Sequence, residues 1–143
     1  MPLERILALD LGERRIGVAV SDPLGVTAQG LATLERRNRR ADFDALRGLV
    51  EKYNPALILV GHPLHLSGRA GVQAEKAAAF AETLRRKLGV TVELWDERLT
   101  TREAHRVLDA GGATLQQRRK AIDRMSAVLL LQSYLDRFVE APK

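Results

Sequence analysis

The chain of 143 residues is the length of one ordinary domain, and its apolar fraction of 45% and charged fraction of 29% exclude a disordered or membrane-embedded class. It has no cysteine, which excludes disulfides and thiolate metal sites. Lysine and arginine total 23 against 18 acids, a net charge of +5 that favours polyanionic partners such as nucleic acid over a merely soluble basic surface.

The first residues, MPLERILALD, lack a basic segment followed by a long apolar stretch, so no secretory signal is expected. No run approaches the length of a membrane span, and the expected compartment is the cytoplasm. Leu3 to Leu11 and Arg15 to Ser21 read as strands joined through Gly12-Glu13-Arg14, with Asp22-Pro23 breaking the second. Val26 to Leu34 is less apolar and reads as a third, edge strand. Basic residues cluster in Arg36-Arg37-Asn38-Arg39-Arg40, in Arg85-Arg86-Lys87 and in Arg118-Arg119-Lys120.

From Ala41 to Tyr53 the residues Phe43, Leu46, Leu49 and Val50 recur at helical spacing, and Asn54-Pro55 ends the helix. Ala56 to Val60 is a continuous apolar run, as expected inside a parallel sheet. Gly61 to Gly68 reads as a loop, Val72 to Leu88 as a helix stopped by Gly89, and Val90 to Trp95 as a fifth strand. Thr100 to Asp109 reads as a helix with the capping-box pattern Thr100-Thr101-Arg102-Glu103. After Gly111-Gly112 and a basic linker, Lys120 to Val139 forms the last helix. The expected product is one α/β domain over residues 1–143. Its mixed five-stranded sheet is flanked by helices on both faces, with right-handed crossovers in the second half.

Three carboxylates interrupt this pattern. Asp10 falls near the carboxyl end of the first strand, where open α/β sheets place their sites. It is either a metal ligand or an acceptor for the turn that follows. Asp96-Glu97 follows the fifth strand, as ligands or as an acidic helix entrance. Strand alternation would turn the two to opposite sides. Asp123 heads an apolar helix face running through Ala127, Leu130, Leu131 and Tyr134, as a ligand or as a dipole-favoured acid. Carboxylates gathered at one point repel or protonate unless a divalent cation sits between them. An all-oxygen set suits magnesium or manganese.

Four stretches, ALDLGERRIGVAVSD, VGHPL, DERLTT and IDRMSAVLLLQSYL, resemble the YqgF family, also called the RuvX or pre-16S ribosomal RNA nuclease family. That family belongs to the ribonuclease H-like, Holliday-junction-resolvase-like superfamily. The resemblance covers essentially the whole chain. It implies a ribonuclease H-like fold, an acidic triad on Asp10, Glu97 and Asp123, and a cytoplasmic role in trimming the 5′ end of the small-subunit ribosomal RNA precursor. The loop departs from the family pattern, since His65 and Ser67 stand in place of an amide and an acid. His62 and His65 read as loop or phosphate contacts, and His105 as a helix-surface residue.

The chemistry expected is phosphodiester hydrolysis assisted by up to two divalent ions about 4 Å apart, with Asp10 as bridging ligand. Arg14, Arg15, Arg98, Arg118, Arg119 and Lys120 are the expected phosphate contacts, and the protein is expected to be a monomer or weak homodimer. The alternatives are a Holliday junction resolvase and a non-catalytic nucleic-acid-binding module. A phosphate-binding ATPase of the actin and sugar-kinase type shares Asp10, Gly12 and Gly17, but needs two lobes where this length makes one.

Overall fold

The computed structural model describes residues 5–63, 67–98 and 115–138, with side chains outside the description at 115–124 and 138. Its strands are β1 (Ile6–Leu11), β2 (Arg15–Ser21), β3 (Ala28–Glu35), β4 (Leu57–His62) and β5 (Val92–Asp96), and its helices are α1 (Arg39–Tyr53), α2 (Val72–Leu88) and α3 (Leu115–Phe138). The five strands form one sheet in the order β3-β2-β1-β4-β5. β1 pairs antiparallel with β2 and parallel with β4, and β4 pairs parallel with β5. This is the mixed sheet that the element order predicts.

Period-two alternation divides the core into two layers. Leu7, Leu9, Ile16, Val18, Val20, Ile58 and Val60 face α1 and α2, where Phe43, Leu46, Ala81 and Leu84 meet them. Ala8, Ala19, Leu57 and Leu59 face α3 and pack on Ala127, Leu130, Leu131 and Leu135. Small residues on β1 and β2 let α3 lie close. Gly17 continues that row, and a Cβ there would already touch the Cβ of Ala127 at 3.6 Å and that of Asp10 at 3.7 Å.

Several boundaries differ from expectation for local reasons. β3 begins at Ala28 rather than Val26 because the Val26 and Thr27 N–H groups both donate to Asp22 Oδ1, at 2.7 and 3.0 Å, closing a turn. It is the edge strand expected. α1 begins two residues early, since Asn38 Oδ1 accepts from Ala41 N–H at 2.9 Å and so caps it. Its far end is closed by Asn54 in the left-handed region, φ 46°, just before Pro55. β1 starts at Ile6 with Arg5 outside the strand, and β5 spans Val92 to Asp96. β4 runs on through Gly61 and His62, which the sequence assigns to a loop. α3 starts at Leu115, so Arg118-Arg119-Lys120 lies on its first turns and not in a linker. The helix expected over Thr100 to Asp109 lies outside the described residues, as do His65 and His105. Among the described residues no helix is long and apolar enough to cross a membrane.

Candidate active site

Asp10 stands at the end of β1, paired with Gly17 across the hairpin. It follows Ala8 on the α3 side of the sheet and is half-buried. Glu97 comes from a different element but reaches the same point. β5 stops at Asp96, and Glu97 and Arg98 are already helical in conformation. The strand alternation that would have turned Asp96 and Glu97 apart therefore ends between them.

Room for Glu97 is made by Gly61 on β4. A Cβ at that position would sit 2.8 Å from Glu97 Oε2, so no other residue type leaves the carboxyl where it is. Glu97 hydrogen-bonds with Asp10. Burial first, then the Asp10 carboxylate beside it, then Asp96, push the Glu97 pKa from its ordinary 4.5 to about 8. The crowding of the two carboxyls thus favours the protonated form of Glu97. Asp96 behaves in the opposite way. Arg98 Nε donates to both its oxygens, at 3.0 and 2.9 Å, and the Arg98 backbone N–H adds a third bond at 2.9 Å. Those bonds hold the Asp96 carboxyl below the usual carboxylate range.

The orientation of α3 bears on the third predicted acid. Gln132 Oε1 accepts from Ala28 N–H at 3.0 Å, near the end of β2, while Ala127 lies against Gly17, the cross-strand partner of Asp10. α3 thus runs antiparallel to β1, with its N-terminal part toward Asp10. Trp95 fixes this register from the β5 side, meeting Tyr134 edge-on at 5.2 Å and donating its indole N–H to Ser133 Oγ at 3.3 Å. Position 123 is one helical turn before Ala127. The Asp123 side chain lies outside the described residues, so the structure brings together two of the three predicted acids. Among the described residues no group of three or more His, Cys, Asp or Glu side chains surrounds one point.

The predicted phosphate contacts separate. Arg15 pairs with Glu35 at 3.0 Å on the exposed face of the β2–β3 edge, and Arg98 is engaged by Asp96. Arg14 is exposed in the turn. The side chains of Arg118, Arg119 and Lys120 lie outside the described residues. Sequence reasoning passed over a different set. A groove of about 1100 Å³ opens from Asp10 and Glu97 toward α1 and α2, and Arg36, Arg37, Arg39 and Lys76 line it. Their run was visible as a charge cluster, but its convergence with α2 is a tertiary fact.

A sheet in this order, with a carboxyl pair at the ends of β1 and β5, has the ribonuclease H-like fold. The structure superposes on RuvC from T. thermophilus in complex with a Holliday junction substrate with a TM-score of 0.58 at 10% identity, over 96% of each chain. The fowlpox virus Holliday junction resolvase gives 0.53 at 13% identity, covering 94% of this chain and 99% of that one. Both likenesses concern the fold. The chain belongs to the RuvX family, described as a Holliday junction resolvase family, whose model matches residues 4–137. It is 53% identical over 133 residues to a Koribacter versatilis protein named "Putative pre-16S rRNA nuclease", covering 93% of this chain and 87% of that one. Relatives of the same name in Moorella thermoacetica and Syntrophus aciditrophicus are 49% and 48% identical, over 93% and 92% of this chain and 95% and 88% of theirs.

Proposed function

We propose that the protein is a divalent-metal-dependent nuclease that hydrolyses phosphodiester bonds in the precursor of 16S ribosomal RNA, acting in the cytoplasm as a single domain. The observation that carries this reading is the Asp10–Glu97 pair. Two carboxyls from separate strand ends are packed so closely that the protonated form of one is favoured, and Gly61 is shaped to allow it. Such a pair is electrostatically unfavourable without a cation and fits magnesium or manganese, whose preferred ligands are carboxylate oxygens. Asp123 is the proposed third ligand, supported by the direction of α3 and its position one turn before Ala127.

Asp10, Glu97 and Asp123 would hold the ion. When bound, it supplies Lewis-acid stabilisation to the phosphoryl group under attack. Glu97 must give up its proton on loading, which ties metal uptake to pH. Arg98 keeps Asp96 ionised and turned to itself, so Asp96 does not compete for the ion. The name shared by the relatives favours the ribosomal RNA precursor as substrate. The test is cleavage of that precursor beside a four-way DNA junction, with magnesium and manganese varied and Asp10→Asn as control. Metal-dependent cutting of the RNA, abolished in the variant, is expected. Preferential symmetric cutting of the junction would reassign the substrate, and undiminished cutting by Asp10→Asn would remove the site.

A further inference from the structure

The groove that starts at the carboxyl pair continues past the β1–β2 turn to the junction of β3 and α1 and on to the first turns of α2. Its acids and bases are separated along this length. Asp10 and Glu97 occupy the sheet end, with Glu13 on the exposed β1–β2 turn beside them, while Arg36, Arg37, Arg39 and Lys76 occupy the helix end. Asp42, the acid among the bases, is already used: Arg37 N–H donates to its Oδ1 at 3.0 Å and Arg36 Nε lies 3.8 Å from Oδ2. No carboxylate of the described residues pairs with the side chains of Arg37, Arg39 or Lys76.

Two of the arginines are held in place by a floor of aromatic rings. Phe43 of α1 and Phe80 of α2 stack at 5.1 Å, with the Arg36 guanidinium 5.9 Å above Phe80 and that of Arg39 6.0 Å from Phe43. Arg36 also donates to the Gly12 carbonyl at 2.8 Å, and Arg39 to Thr83 Oγ1 at 3.2 Å. A long side chain fixed this way has lost its rotamer freedom before any ligand arrives, so an anion meets a preorganised donor. α1 also begins in this groove, adding the positive end of its dipole. Phe43 is only 5% exposed, so its ring positions cations and offers no face on which a base could stack, while the partly buried Phe80 lies beneath Arg36.

Building on the nuclease reading, we propose that this groove is the backbone track for a single strand of RNA leading to the carboxyl pair. Arg37, Arg39 and Lys76 contact successive phosphates, and Arg36 is a positioning residue that braces the β1–β2 turn against α1. The contacts assigned to these side chains are to phosphates, which carry no sequence information.

The test is binding of a labelled single-stranded RNA, followed by anisotropy from low to moderate salt in the metal-free Asp10→Asn protein. A second protein adds Arg37→Ala and Lys76→Ala, both at exposed positions away from the core. The added pair is expected to weaken binding by about tenfold or more and to lower the salt slope by about 1.4, two phosphates at roughly 0.7 each. In the otherwise wild-type enzyme with magnesium, the same pair should raise KM and leave kcat within about twofold. Arg37→Lys, which keeps the charge, should restore most of the affinity. Unchanged affinity and slope with RNA still bound would overturn the track alone. A wild-type protein that neither binds nor, with magnesium or manganese, cleaves RNA would overturn the nuclease reading and the track with it.

Discussion

Gly61 and Glu97 compete for one volume: a Cβ on residue 61 would lie 2.7 Å from Glu97 Cδ, inside any real contact distance. A neighbour on the central sheet thus sets where the acid can point. Gly61→Ala should displace Glu97, weaken metal binding and destabilise the fold by about 1–3 kcal/mol. Pairing it with Glu97→Asp, which shortens the side chain, should recover stability more than activity. Thermal unfolding and metal titration of the single and double variants check this.

Asp10→Asn and Glu97→Gln should each keep the fold and lower metal-dependent cleavage by more than about a hundredfold. Circular dichroism with a cleavage assay on the RNA precursor separates loss of chemistry from loss of structure.

The metal-free protein should become less stable as pH rises toward and through 8. Glu97 has a folded pKa of about 8, above its ordinary 4.5, so the folded state binds the extra proton. Its contribution is fully present below about pH 4.5 and fades as pH passes through 8. Melting curves in chelator from pH 5 to 9 should show this slope, and Glu97→Gln should flatten it. Saturating magnesium should reverse it, because loading requires the deprotonated acid.

Ser21→Ala should cost about 1–3 kcal/mol, since the fully buried Ser21 Oγ accepts from Ile6 N–H at 2.8 Å and the variant leaves that donor unpaired. A fall of several degrees in Tm with cleavage retained is the expected outcome.

The sheet was readable in the sequence because its apolar runs are continuous and their turn signals local. Asp10 stood out as a charge inside such a run, and Glu97 as a second acid at a strand end. Alternation alone could not decide between Asp96 and Glu97. The decision comes from β5 ending at Asp96 and from Arg98 folding back onto it. Gly61 read as part of a loop because nothing nearby in the chain shows that Glu97 will occupy the space above it. The groove was hidden for the same reason: Arg37 and Lys76 are separated by the whole of α1, by β4 and by the first residues of α2, and only packing places them along one channel.

The clasp between β5 and α3 also gives the molecule an optical handle. Trp95 is the single tryptophan in the chain, and it precedes the Asp96-Glu97 pair directly. Its indole rests edge-on against Tyr134 and is tethered to Ser133. Any shift of the β5 end relative to α3 on loading a cation would alter the polarity around that ring. Intrinsic fluorescence would report such a shift in unlabelled protein.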